Sequence, residues 1–142
     1  LTGSLREEVR DFVRGLGAEP YRGDQVLRWL YEQGVRSFDD MANLPKALRR
    51  ALSEHSALLV TSVEDTSCGA DGTQKLLVRL EDGEAVETVL IPEGDRRTVC
   101  VSTQVGCAMG CLFCASGLGG LERDLGAHEI VEQVLHAQAR LE

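Results

Sequence analysis

Cys107, Cys111 and Cys114 stand at Cys-x3-Cys-x2-Cys spacing in the stretch Gly106-Cys107-Ala108-Met109-Gly110-Cys111-Leu112-Phe113-Cys114. Thiolates are soft, strongly donating ligands suited to iron–sulfur clusters. A tight loop with small residues lets three sulfurs converge on three corners of a cube. The fourth iron then lacks a protein ligand, so it can bind and reduce a substrate instead of only passing electrons. A zinc knuckle is the alternative. Zinc prefers four ligands in paired cysteine arrangements, and here Cys100 or His128 would have to complete the set. The spacing therefore favours a [4Fe–4S] cluster. Read alone, Phe113 is a packing aromatic and Cys100 a small buried hydrophobe.

Five cysteines in all, Cys68, Cys100, Cys107, Cys111 and Cys114, make an odd count that fits metal ligands or reactive thiols better than a paired framework. The chain has 142 residues, no long apolar run, and a charged start where a secretory signal would need an apolar core. These features point to a cytosolic protein. The net charge of −8 argues against a nucleic-acid coat protein. Acid and base balance through His55, and the excess acid lies downstream. A basic face on the first segment, with Lys46, Arg49 and Arg50 among its cations, can meet phosphates; ordinary solvated helix faces explain it equally well.

What must position the cysteines is legible from periodicity. Ser4 and Glu7 form a capping-box pattern. Leu5, Val9, Phe12, Val13 and Leu16 then recur at helical spacing. A second helix is predicted over residues 23–33 and a third from Asn43-Leu44-Pro45 onward, where Asn can cap and Pro suits the first turn. Residues 58–63, 74–80 and 85–91 read as strands separated by Asp71-Gly72 and Asp82-Gly83, the second favouring a hairpin. Residues 98–103 read as a buried strand leading into the cysteine loop. A last helix begins near Ala127, with Ile130, Val131, Val134 and Leu135 as its inner face.

A strand–loop–helix unit of that kind suits a parallel sheet, whose strands need covering neighbours. The fold class expected is α+β leading into α/β: a helical domain (1–56), an antiparallel β connector (57–96), and the first βα unit of a truncated partial TIM barrel (97–142).

Beyond the cysteines, three stretches resemble the RlmN/Cfr type of radical S-adenosylmethionine (SAM) RNA methyltransferases. They are Tyr21-Arg22-Gly23-Asp24-Gln25-Val26 with Trp29-Leu30-Tyr31, then Val86-Glu87-Thr88-Val89-Leu90-Ile91-Pro92, then Arg97 through Cys107. The resemblance covers nearly the whole chain and is closest to the RlmN members. It implies a helical accessory domain, a β-rich connector and a radical SAM barrel. It also implies methylation of adenosine C2 in 23S rRNA and some tRNAs, with SAM and a [4Fe–4S] cluster as cofactors. A flavodoxin-like external electron donor and a monomeric state go with it.

On that resemblance Cys107, Cys111 and Cys114 hold the cluster and Phe113 lies beside the SAM adenine. Cys100 helps remove the C2 proton and forms a disulfide with a methyl-carrying cysteine near the family's C-terminus. Glu87 acts as base or contacts the substrate base; in the strand reading it shares a face with Val89 and Ile91, where burial would raise its pKa. A solvent-facing carboxylate is the equal alternative. Cys68 matches no functional position.

Two departures stand out. Gly120-Leu121-Glu122-Arg123-Asp124-Leu125 occupies the place of the family's Gly-Phe-x-Arg-Asn-Leu, with Leu for Phe and Asp for Asn. The Gly-Gly-Glu SAM segment and the methyl-carrying cysteine are not in the sequence, so the isolated chain is expected not to turn over. The competing readings are a radical SAM enzyme with another substrate and a non-enzymatic zinc- or RNA-binding module.

Overall fold

The computed structural model describes residues 1–141. The fold divides into two compact units, Leu1–Val60 and Thr61 onward. The sheet and the cysteine loop, expected in separate domains, lie in the same second unit.

The first unit is helical: α1 (Arg6–Gly15), α2 (Tyr21–Tyr31) and α3 (Lys46–His55), with a short 3₁₀ turn at Phe38–Asp40. Its core is Val9, Val13, Val26, Leu30, Phe38, Met41, Leu44, Leu48, Leu52 and Leu58, all buried. Fully burying each Val or Leu contributes about 1.5–3 kcal/mol. The expected Ser4–Glu7 cap is displaced by one residue. Leu5 is the extended residue before α1, and its N–H donates to Glu8 Oε2 at 2.7 Å. Asn43 likewise does not cap α3; its Oδ1 accepts the Trp29 indole N–H at 2.6 Å, and α3 starts after Pro45. Asp24 ties α2 to α1 by accepting from Arg6 Nε at 2.7 Å and from Arg10 Nε and Nη2 at 2.9 and 2.6 Å. Hydrogen bonds from Arg10 first, then Arg6, hold its carboxyl at a pKa of about 2.

The second unit is built on a four-stranded antiparallel sheet in sequential order. Its strands are β1 (Ser62–Cys68), β2 (Gln74–Arg79), β3 (Ala85–Glu93) and β4 (Arg96–Cys100). A small antiparallel pair follows, β5 (Gln104–Gly106) with β6 (Leu121–Asp124), then α4 (Ala127–Gln138). The hairpin expected at Asp82-Gly83 joins β2 to β3. β1 starts later than expected, at Ser62; it is an exposed edge strand interrupted by a register shift between Val63 and Asp65.

Strand alternation sorts the sheet into two faces. Leu76, Val78, Val86, Thr88 and Leu90 are buried on one of them, where Leu80, Val105, Leu125 and Ala137 complete the core. The opposite face carries Lys75, Leu77, Glu87, Val89 and Ile91.

Residues 98–103 differ from expectation. They were to form a buried strand opening a parallel barrel, but β4 is largely exposed and runs antiparallel to β3. The reason is local. Glu93 and Arg96 pair across a two-residue turn in which Gly94 takes φ +57°, a conformation that favours glycine. So short a connection can only return the chain antiparallel. Among the described residues all strand pairs are antiparallel.

The face α4 turns inward is the predicted one only in part: Leu135 is buried and Ile130 packs against the core. Glu129, Glu132, Gln133, Leu135, His136 and Ala137 are buried, whereas Val134 is exposed. Buried polar groups must be hydrogen-bonded, and these are. Glu132 Oε2 accepts the Thr61 N–H at 2.8 Å and the Thr61 hydroxyl at 2.7 Å, and the same hydroxyl lies 2.9 Å from His136 Nε2.

Candidate active site and cluster loop

Cys100 ends β4 directly opposite Val89 of β3. Residues opposed across a sheet point to the same face, so Cys100 shares the open face with Val89, Glu87 and Ile91. Glu87 is two residues along β3 from Val89, a diagonal neighbour of Cys100; such positions are roughly 7–8 Å apart in an antiparallel pair. The structure thus brings together a thiol and a carboxylate that are 13 residues apart in sequence.

The burial considered for Glu87 is not found. Its side chain is 58% exposed and pairs with Lys75 Nζ at 2.8 Å, which in turn raises the lysine's pKa. Helix α4 covers the other face of β3, the one with Val86, Thr88 and Leu90. Cys100 is exposed as well, against the reading of a small buried hydrophobe.

From Cys100 the chain crosses Ser102 and β5 to enter the cysteine loop. Gly106, immediately before Cys107, has φ +73°, and a Cβ there would lie 2.0 Å from the Gly120 carbonyl oxygen. Only glycine allows β5 and β6 to approach this closely. That same carbonyl accepts the Cys107 N–H at 2.9 Å, closing the loop at its base. Arg123 of β6 anchors the far side with a fork to Glu129 on α4, at 2.8 Å through each nitrogen, and with Asp82 at 2.7 Å. Arg123 holds the Glu129 carboxyl below the usual carboxylate range, against the opposing effect of burial. Of the two departures noted above, Asp124 finds a partner, accepting from Gln104 Nε2 at 2.7 Å, while Leu121 is 43% exposed.

Inside the loop Cys107, Cys111 and Cys114 are each half-buried, and all five cysteines are free thiols. The convergence expected of the three sulfurs is not present. Among the described residues no three Cys, His, Asp or Glu side chains are gathered so as to hold a metal ion. Cys107 Sγ is turned back onto its own loop, accepting the Met109 N–H at 3.5 Å. The donor set itself fits a thiolate-held cluster: three soft ligands, unpaired with one another, on one short loop. The backbone bonds that Cys111 and Cys114 make are local turns, Cys114 N–H to the Cys111 carbonyl at 3.1 Å and Gly117 N–H to the Cys114 carbonyl at 3.2 Å. Phe113 is 93% exposed, and Leu112 and Met109 are exposed beside it.

Lys75 and Gln133 carried no signal in the sequence, and Ser102 entered only as part of the stretch from Arg97 through Cys107. Ser102 Oγ donates to the Glu87 carbonyl at 2.8 Å, and Gln133 bonds both Ser102 and Thr88. Their partners lie 12 to 45 residues away, so short-range patterning could not find them.

Residues 1–58 match the family model described as the ribosomal RNA large subunit methyltransferase N-terminal domain. The chain is similar to the N-terminal portion of RlmN proteins. It is 48% identical over 135 residues to a probable dual-specificity RNA methyltransferase RlmN of Rhodopirellula baltica, covering 95% of this chain and 36% of the relative. It is also 48% identical over 138 residues to the dual-specificity RNA methyltransferase RlmN of Geobacter sulfurreducens, covering 97% and 38%. Among solved structures it superimposes on a radical SAM methyltransferase from Sphaerobacter thermophilus with a TM-score of 0.92 and 41% identity, over 98% of this chain and 41% of that one. The chain therefore spans a little over a third of the length of the RlmN relatives it matches. No helix among the described residues is long and apolar enough to cross a membrane.

Proposed function

We propose that this RlmN-type chain supplies the helical module, the sheet and the cluster loop of a radical SAM methyltransferase that modifies C2 of adenosine in 23S rRNA and tRNA. The observation that carries the reading is the meeting of Glu87 and Cys100 on one open face of the sheet, on the strands that lead into the cysteine loop. Neither of the competing readings, another radical SAM substrate or a metal-binding module, gives a reason for that pair.

In this reading Cys107, Cys111 and Cys114 would hold three corners of a [4Fe–4S] cluster, and Phe113 would lie against the adenine of SAM. The cluster and SAM supply a reducing electron and an adenosyl radical, with a flavodoxin-like donor as the source of the electron. Cys100 Sγ and the Glu87 carboxylate act where adenine C2 must lose its hydrogen. Lys75 pairs with the Glu87 carboxylate at 2.8 Å and orients it on the open side. The outer edge of β4, unpaired among the described residues, is where a parallel barrel strand would add. A reducing cytoplasm suits the five free thiols.

The complete polypeptide, incubated anaerobically with SAM, reductant and unmodified rRNA or tRNA, is predicted to yield 2-methyladenosine by nucleoside mass spectrometry. Methylation at another atom, or none, overturns the reading.

A further inference from the structure

Gln133 lies on the inner face of α4 with its side chain fully buried. Its Oε1 accepts the Ser102 N–H at 2.8 Å and the Thr88 hydroxyl at 2.8 Å; its Nε2 donates to the Ser102 carbonyl at 2.9 Å and the Glu129 carbonyl at 3.2 Å. A carboxamide has two lone pairs and two N–H groups to place, and all four are engaged. The two-way exchange with Ser102 is the one an opposing backbone makes in a hydrogen-bonded antiparallel pair. It falls where the chain has no strand of its own, after β4 ends at Cys100 and before β5 begins at Gln104. Gln133 therefore stands in for a neighbouring strand at this corner. It also grips Thr88, the residue after Glu87, while the Ser102 hydroxyl holds the Glu87 carbonyl. One buried side chain thus ties the residue beside Glu87 to the residue two beyond Cys100.

We propose that Gln133 is a positioning residue of the methyl-transfer site, holding the Ser102 corner so that Cys100 and Glu87 keep their diagonal placement on one face. This rests on the reading of Cys100 and Glu87 as the reacting groups. Gln133→Met fills the same space but leaves the Ser102 N–H and C=O and the Thr88 hydroxyl without partners, so the corner must open to water. Gln133→Glu offers a finer change. Protonated, it keeps one donor and one acceptor for Ser102; ionised, it loses the donor and sets a charge against the Ser102 carbonyl.

The test is residue-resolved amide hydrogen exchange by NMR on the chain, together with turnover of the complete enzyme. In Gln133→Met the Ser102 amide is expected to exchange at least ~10-fold faster, a local opening, while Leu76 and Val78 of β2 keep their protection. In Gln133→Glu, Ser102 protection is present at low pH and is lost as the carboxyl ionises. Gln133→Met is expected to lower kcat about 10-fold, with KM for RNA within about twofold, since a misplaced reacting group costs transition-state stabilisation and spares binding. Unchanged Ser102 exchange overturns the proposal, as does acceleration spread evenly over β1, β2 and β3, which would mark ordinary loss of packing. Unchanged kcat with Ser102 released also overturns it. Should Glu87→Gln and Cys100→Ala retain full turnover while Ser102 responds as described, the catalytic reading is what fails, and Gln133 is left as a clamp with no reacting groups to position.

Discussion

Cys100 faces Val89 across the β3–β4 pair, and that register alone places the thiol on the face of the sheet that Glu87 occupies. Had the pairing slipped by one residue, Cys100 would point into the core beneath α4.

Because both groups are exposed, removing either should leave the fold intact. Glu87→Gln and Cys100→Ala are each expected to change unfolding free energy by no more than ~0.5 kcal/mol, the usual range for surface substitutions. Each should nevertheless abolish RNA methylation by the complete enzyme. Chemical denaturation and nucleoside mass spectrometry on the same preparations check the two halves of this expectation.

One residue further along β3 the balance reverses. Thr88 is fully buried and its hydroxyl donates to Gln133. Thr88→Val keeps the shape and the strand preference but removes that bond, at a cost of about 1–2 kcal/mol. The urea midpoint measures it.

The contrast between Glu87 and Thr88 shows how far the sequence could lead. Alternation along Val86-Glu87-Thr88-Val89-Leu90-Ile91 identifies a strand, but each face carries two aliphatic residues, so hydropathy does not say which face is covered. The covering helix decides it. Its own inner face is legible only in part for a related reason: Ile130 and Leu135 follow the apolar pattern, whereas Glu132, Gln133 and His136 look solvent-facing until their partners, Thr61, Thr88 and Ser102, are brought to them by the fold. The helices of the first unit, the Asp82-Gly83 hairpin and the cysteine loop rest on local patterns and were legible. The antiparallel course of β4 was hidden in a two-residue turn, Gly94-Asp95, that reads as a simple break.

Acid should act on the Arg123–Glu129 fork. The Glu129 pKa is lowered in the folded state, so its contribution to stability is present above the unfolded carboxylate value and is lost as pH falls through the folded one. Arg123→Met removes the largest cause and leaves the buried carboxylate without its ion-pair partner, held only by the Gly126 N–H. The variant is expected to be less stable at neutral pH and to lose less on acidification. Urea midpoints taken across the acid range for both proteins would show the flattened slope; parallel curves would assign Glu129 no such role.

Gly106→Ala tests the base of the cysteine loop. The substitution forces a left-handed backbone on alanine and drives its Cβ into the Gly120 carbonyl. A cost of at least ~2 kcal/mol is expected from backbone strain of this kind, together with a loss of iron uptake larger than that of Gly119→Ala, where a Cβ meets nothing within 4 Å.

Iron and acid-labile sulfide content after anaerobic reconstitution of the chain bears most directly on the whole account. About four irons and four sulfides per chain are predicted, with broad visible absorption of a thiolate-held cluster, all lost in Cys111→Ala and retained in Cys68→Ala. Zinc bound in place of iron, or iron uptake indifferent to Cys107, Cys111 and Cys114, would contradict it.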